Sequence, residues 1–463
     1  MKLNNPKLLS LSVAGLMTLP FGCTEKSSEI NGAPSKPNIL IILPDDLGWA
    51  DVGYHGSDVK TPNIDKLART GIILNQHYVM PTCTPSRVSL MTGLYSSRYG
   101  VTGPDYGEVI DLGDPTLPSL LSENGYFTAI GGKWHMGSPP YTPLKYGFQS
   151  SYGYFDGQID PYTHNYKSET ELTERRSWHR NDEYLDESGT HVTDLITAEA
   201  VRIIEEDREE PFFLYVAHHV PHFPLDEPTE WMSVYADVPL MHPSRQLFAA
   251  SVTHMDSGIG EIIDALERTG KQDNTLVLFL SDNGGQFSWH SETEYHGRYA
   301  DKPHTVLGNN FPLRGWKGDL YEGGIRVPAL INWPGQLEPG VIDFPVHVSD
   351  WLPTLCALTG VEQKLRPDLD GQNIWPLLTG NQSFEASRQL YWKTGRSYAV
   401  RDDQWKLIIN RNTNDIELYD LENDFRENRN LRDANPEKLE QMMDLLEDFV
   451  KDDRNAESIL IPL

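Results

Sequence analysis

Cysteine is scarce in this chain, with three among 463 residues. Cys23 closes an amino-terminal apolar stretch, so only Cys83 and Cys356 remain, too few for a disulfide framework. Positive charge is scarce as well: 39 basic against 67 acidic residues give a formal charge of −28. Such a field opposes general binding to nucleic acid or to anionic membrane, and an anionic ligand would need a local basic pocket. The apolar stretch over residues 8–21 is too short to span a bilayer. Internal repeats are missing, and the one biased tract is a short tether at residues 24–36.

The amino terminus carries Lys2 and Lys7, the apolar stretch, and then Gly22-Cys23, which together read as a signal peptide over residues 1–23. Two versions stay open. A small residue before Cys23 resembles a bacterial lipoprotein signal, in which a lipidated Cys23 would attach the mature chain to a membrane. Pro20 and Phe21 fit a strict lipobox poorly and leave an ordinary cleaved secretion signal as the other version. Both predict export, to the periplasm or the cell surface, the lipoprotein version to the outer membrane.

What is present points to an α/β protein. Four apolar runs of strand length each lead straight into a polar cluster: 39–43 into Asp45-Asp46, 127–130 into Lys133-Trp134-His135, 212–217 into residues 218–222, and 276–280 into Ser281-Asp282-Asn283. Runs apolar throughout suit buried parallel strands. Ligands in open α/β sheets collect outside the carboxyl ends of such strands, so the four clusters could converge. Thr61 with Pro62 predicts the start of a helix ending at Gly71. Phe248, Val252, Met255, Ile259, Ile262 and Leu266 predict a helix with a core-facing stripe. Segments 397–400, 405–409 and 417–421 suggest a small antiparallel sheet, followed by a helix from Pro436 that packs through Leu439, Met442, Leu446 and Phe449. The expected division is a large domain over 37–385 and an α+β subdomain over 386–463. Cys356, within an apolar segment, reads as a buried small hydrophobe.

Cys83 needs another account. In Cys83-Thr84-Pro85-Ser86-Arg87, Pro85 suits the first turn of a helix, which would put Cys83 near an amino end that favours an anion. On those five residues alone, a helix cap with an incidental thiol is the better reading. The longer string through Gly93 resembles the signature of the formylglycine-dependent sulfatases, in which the cysteine is oxidised to formylglycine by a maturation enzyme. Residues 125–135, ending Gly132-Lys133-Trp134-His135, resemble the second signature of that family, with Gly131 a mild departure. Residues 309–317 and 322–326 resemble the segment that supplies a sulfate-binding lysine, here Lys317. The similarity covers nearly all of residues 37–380 and is nearest to the branch containing N-acetylgalactosamine-4-sulfatase.

The resemblance implies an alkaline-phosphatase-like α/β fold, a large mixed and mostly parallel sheet flanked by helices, with a smaller C-terminal antiparallel sheet. It also implies one calcium ion held by Asp45, Asp46, Asp282, Asn283 and the modified Cys83, a set of hard oxygen donors that suits calcium. Lys133 and Lys317 would contact sulfate, Arg87 would support the diol, His135 would hydrogen-bond it, and His222 would be the general acid. His218 and His219, without such a match, read as structural. Sulfate ester cleavage needs these parts: a nucleophile, positive charge for the sulfuryl oxygens, and an acid for the leaving alcohol.

The substrate is expected to be a sulfated polysaccharide, first a marine algal glycan such as ulvan or carrageenan and next a glycosaminoglycan. Sugar subsites are sought in residues 156–180, with Tyr162, His164, Arg175, Arg176, Trp178 and His179, and in residues 286–304, with Trp289, His290, His296, Arg298, Tyr299 and His304. Two rivals are a phosphonate or phosphate monoester hydrolase of the same superfamily and a noncatalytic glycan-binding lipoprotein.

Overall fold

The computed structural model describes residues 36–105, 107–167, 174–239, 243–287, 307–380, 387–395 and 397–456. Cys23, the signal segment and the tether lie outside them, as do all six residues singled out between 289 and 304. No helix among the described residues is long and apolar enough to cross a membrane.

A ten-stranded sheet forms the centre. In chain order its strands are β1 (Asn38–Leu43), β2 (Ile72–Leu74), β3 (Phe127–Lys133), β4 (Ser150–Tyr154), β5 (Trp178–Arg180), β6 (Glu183–Tyr184), β7 (Phe212–Ala217), β8 (Thr275–Leu280), β9 (Ala329–Asn332) and β10 (Gly340–Ile342). They lie side by side as β10-β2-β9-β8-β1-β7-β3-β4-β5-β6. The four apolar runs of the sequence are β8, β1, β7 and β3, which are adjacent and mutually parallel, with Ile39 opposite both Phe213 and Leu276. Every residue of β1, β7 and β8 is buried. Residues of alternating sides feed two apolar layers: Ile39 and Ile41 join one core, Leu40 and Ile42 the other. Because the central strands run parallel, their carboxyl ends, and the polar clusters that follow, share one edge of the sheet.

Flanking helices match the expected pattern with one exception. In α1 (Pro62–Thr70) Pro62 is the first residue, but the Thr61 side chain caps nothing. Its hydroxyl accepts from Gly53 N and donates to Asp65. The helix start is capped instead by a distant carboxylate, Asp256, which accepts from Asn63 N and Ile64 N at 3.1 and 2.8 Å. Helix α2 (Cys83–Thr92) is buried along its whole length. Helix α3 (Val192–Glu205) packs on α4 (Pro243–Arg268), whose stripe from Phe248 to Leu266 is core. Cys356 is fully buried in α5 (Trp351–Thr359).

The C-terminal sheet has four antiparallel strands in sequence order, β11 (Gln389–Thr394), β12 (Ser397–Asp402), β13 (Trp405–Asn410) and β14 (Asp415–Asp420). The first of these was not among the expected segments. Helix α6 (Pro436–Lys451) covers the sheet through Met442, Met443, Leu446 and Val450, with Leu439 and Phe449 partly buried beside them.

Two glycines allow backbones to meet at the strand ends. Gly132 has φ +110°, and a Cβ there would lie 1.9 Å from Ala217 O. At Gly284 a Cβ would lie 1.9 Å from Gly323 O, so the turn after β8 can rest against residues 322–324 only without a side chain.

Beside α3 and α4 lies a histidine network. His254 sits between two carboxylates, with Nδ1 2.8 Å from Glu227 and Nε2 2.9 Å from Asp194. Trp231 stacks on its ring, and His191 approaches Glu227 at 3.5 Å. Burial disfavours the imidazolium, but hydrogen bonds to Asp194 and Glu227 outweigh it and push His254 up to about 9. A folded-state pKa above the usual 6.5 contributes stability that is full below pH 6.5 and is lost as pH rises through 9. Compared with His254→Gln, the wild type should be more stable by at most about 3 kcal/mol near pH 6, with the gap closing by pH 10 in urea unfolding. A gap independent of pH would contradict the charged state.

Candidate active site

All ten residues proposed from the sequence fall within one connected cluster at the carboxyl edge of the parallel strands. Asp45 and Asp46 follow β1, Lys133 ends β3 with His135 just beyond, His222 lies in the loop after β7, and Asp282 and Asn283 follow β8. Cys83 is the first residue of α2, and Lys317 comes from the loop before residue 322. Asp46 and His135 take positive φ, 69° and 51°, conformations that re-aim their side chains at the strand ends and strain a non-glycine backbone.

Oppositely charged groups alternate through the cluster. Lys133 Nζ is 2.5 Å from Asp45 Oδ2, and Lys317 Nζ is 2.7 Å from Asp46 Oδ1. Arg87 gives Asp282 Oδ2 two bonds, from Nη2 at 2.8 Å and Nε at 3.2 Å, while its Nη1 donates to Lys133 O and to the Tyr215 hydroxyl. Arg87 therefore fixes Asp282 and ties α2 to β3. Asn283 Nδ2 donates to Asp46 Oδ1 at 2.7 Å, and Asp46 N donates to Asp282 Oδ1 at 3.1 Å. His222 Nε2 lies 3.7 Å from Asp46 Oδ2, its other nitrogen being bonded to Phe223 O. That bond places a proton on Nδ1 and leaves Nε2 as the basic atom.

Burial sets the proton affinities. The Cys83 thiol is pushed up by burial, against the pull of Lys133 and Lys317. Burial also raises the Asp282 carboxyl, reinforced by the Asp45 charge and opposed by Arg87. For Asp46, burial acts upward but Lys317 and His222 prevail and lower it. Lys317 is raised despite its burial because Asp46 holds its proton. His135 and His222 lie well below the usual imidazole range, first through burial and then through the cations around them, so both are neutral at neutral pH.

Three carboxylates thus face three cations. The donor set still has room for an added metal. Asp45 Oδ1 and Asn283 Oδ1 are buried without a hydrogen-bond partner among the described residues. Donor atoms of Asp45, Cys83 and Asp282 lie within 4.8 Å of one another, and so do those of Asp45, Asp46 and His222. Orphaned carbonyl-type oxygens beside three carboxylates fit a hard cation, which would release the two lysines from their carboxylates.

Several side chains of the expected sugar subsites are structural. Trp178 is buried and donates to Glu187 Oε2 at 2.7 Å; His179 is buried against Phe155, 3.7 Å between ring centres, and bonds Ser151. His164 is buried beside Trp178. Trp178 and His179 are core residues because β5 returns antiparallel to β4 and carries them inward. Arg175 and Arg176 are exposed, and Tyr162 sets its ring edge on His191. His218 is buried, and His219 bonds Pro224 O and the Tyr154 hydroxyl, both in framework positions. The sequence reading missed Tyr215 and Asn310. Tyr215 is the single polar tip in the apolar run of β7, and Asn310 binds Gly285 N and O and Gly315 O, holding the Lys317 loop to the turn after β8.

The sulfatase family profile matches residues 37–361, and that of the C-terminal region of N-sulphoglucosamine sulphohydrolase matches residues 315–455. Mouse arylsulfatase J is 32% identical over 87% of this chain and 71% of its own length. Human N-acetylgalactosamine-6-sulfatase is 32% identical over 75% of this chain and 67% of its own. Among solved structures, Ps i-CgsB in complex with k-i-k-neocarrahexaose superposes with a TM-score of 0.79 at 32% identity, covering 91% of this chain and 94% of that one.

Proposed function

The chain belongs to the sulfatase family and is a sulfuric ester hydrolase, and from that premise we propose that it removes sulfate from a sulfated galactan of the carrageenan type, using formylglycine at position 83 and calcium. The activity class is a sulfatase of sulfated glycans. The cluster of Cys83, Asp45 and Asp282 donors at a helix amino end carries the reading of the site. A galactan is favoured over ulvan by the likeness to a structure that holds a neocarrahexaose.

Oxidised by a maturation enzyme and hydrated, residue 83 would supply a geminal diol, one hydroxyl attacking sulfur and the other later expelling sulfate and restoring the aldehyde. A calcium ion held by Asp45, Asp46, Asp282, Asn283 and residue 83 would supply positive charge at the sulfuryl oxygens. It would tip the balanced site to two positive charges, the number that an ester anion and an ionised nucleophile together offset. Lys133 and Lys317, freed from Asp45 and Asp46, would bind the sulfuryl oxygens. Arg87 holds Asp282 in place, and His135, set among Lys133, Arg87 and Lys317, would hydrogen-bond the diol. His222 meets the substrate neutral, with Nε2 basic; the ester's negative charge raises its proton affinity, so it takes a proton on binding and can deliver it to the leaving oxygen.

His222→Gln should lower turnover of a sugar sulfate by about 10²–10³-fold and that of 4-nitrophenyl sulfate, whose leaving group needs no proton, by less than about tenfold. Equal losses on both would remove His222 from the acid role. The reading as a whole is tested by sulfate release from defined carrageenan, ulvan, fucoidan and glycosaminoglycan oligosaccharides, with matched phosphate esters alongside. Preference for phosphate by orders of magnitude would overturn it. The Lys2–Cys23 segment supports export to the periplasm or cell surface, with Cys23 as the membrane-anchoring residue if it is lipidated.

A further inference from the structure

A second cleft, of about 470 Å³, opens between the Trp49 and Leu313 region of the main domain and the C-terminal sheet, and none of the ten active-site residues lines it. Its size suits a ligand of a few rings. Trp49 forms part of one wall but is itself buried, its ring stacked on His55 at 3.9 Å with the Arg326 guanidinium 4.6 Å from the ring centre. Phe425, also in the lining, is 40% exposed, and Phe311, next to the lining residue Pro312, is 67% exposed. Arg426 lies against both phenyl rings, 5.3 and 5.6 Å from their centres. On a chain of charge −28, this puts a guanidinium between two exposed phenyl faces.

Not every charge in the cleft is open to a ligand. Glu322 is bonded to Lys406 at 2.9 Å and to the Tyr78 hydroxyl at 2.7 Å, and Arg401 is committed to Tyr78, Gln76 and Asp403 O. Arg326 is committed as well, with Nε on Asn75 O at 2.9 Å and Nη1 3.7 Å from Glu322 Oε2. Arg426, exposed and with no ion pair among the described residues, is therefore the cation left for an anion, while the exposed Glu422 in the cleft lining suits a sugar hydroxyl. The geometry points to a second saccharide site, which binds a sulfated sugar unit other than the one being hydrolysed. This deepens the reading of the enzyme as a glycan sulfatase and rests on it. The exposed Phe311 and Phe425 rings receive the apolar sugar face and the Arg426 guanidinium receives the sulfate.

Phe425→Ala and Arg426→Ala alter exposed side chains that are not among the ten active-site residues. Each should raise KM for a sulfated carrageenan hexasaccharide about tenfold and leave kcat/KM for 4-nitrophenyl sulfate unchanged. Native gels containing carrageenan, or its desulfated form, provide a readout independent of turnover. Wild-type protein should be retarded by the sulfated polymer only, and the variants should run free. Equal mobility of wild type and variants, or equal retardation by desulfated polymer, would overturn the cleft as a sulfated-sugar site. Failure to release sulfate from any glycan would instead sink the glycan-sulfatase reading, with the gels still deciding whether the cleft binds.

Discussion

Cys83→Ser, produced beside a formylglycine-generating enzyme, should lose multiple-turnover sulfate release by at least about 10⁴-fold while keeping its fold. Serine nearly matches cysteine in volume, and position 83 is a buried helix start whose cationic neighbours, Lys133 and Lys317, would still be in place. A serine hydroxyl can attack sulfur, but it lacks the second hydroxyl needed to expel sulfate. The expected product is a chain carrying one sulfuryl group on residue 83 after incubation with substrate, detectable by mass spectrometry of that peptide. In the wild type the same peptide should show the aldehyde or its hydrate. A variant that turns over within tenfold of the wild type, or a mature and active enzyme with an unmodified thiol, would contradict formylglycine catalysis.

The centre of this fold is legible because local signals and global topology agree there. Ile39–Leu43, Phe212–Ala217 and Leu276–Leu280 are apolar throughout apart from the Tyr215 hydroxyl, as suits strands covered on both faces, and the structure places them side by side. The polar residues that follow each run then had to share one edge, which is how Asp45, Asp282 and Lys133 meet across gaps of 88 residues or more. What was not legible depends on partners far away in the chain. Thr61 has the right type and place for a cap, yet Asp256 provides the bonds, a pairing invisible to local spacing. Trp178 and His179 have the composition of a sugar wall, but the antiparallel return of β5 turns them into the core. The cleft between Trp49, Arg326 and Phe425 joins three segments with no shared motif, so no single stretch announced it.

The same logic gives Arg87 the largest expected effect on stability. Its side chain is fully buried, and its bonds to Asp282, Lys133 O and Tyr215 leave the Asp282 carboxylate dependent on it for charge compensation. Arg87→Met keeps much of the volume and removes the charge. Without divalent metal it should cost about 3–5 kcal/mol in urea unfolding, the range for breaking a buried ion pair by removing one partner. Pairing it with Asp282→Asn should recover much of that loss, because no carboxylate then lacks a partner, while activity stays lost. Calcium supplies a distinguishing readout. If Asp282 is a metal ligand, the added cation takes over part of the compensation, and the deficit of Arg87→Met should shrink in calcium relative to EGTA. An equal deficit in both conditions would separate Asp282 from the metal. A deficit below about 1 kcal/mol in EGTA would show that the carboxyl is protonated when Arg87 is absent, an outcome towards which burial and Asp45 already push it.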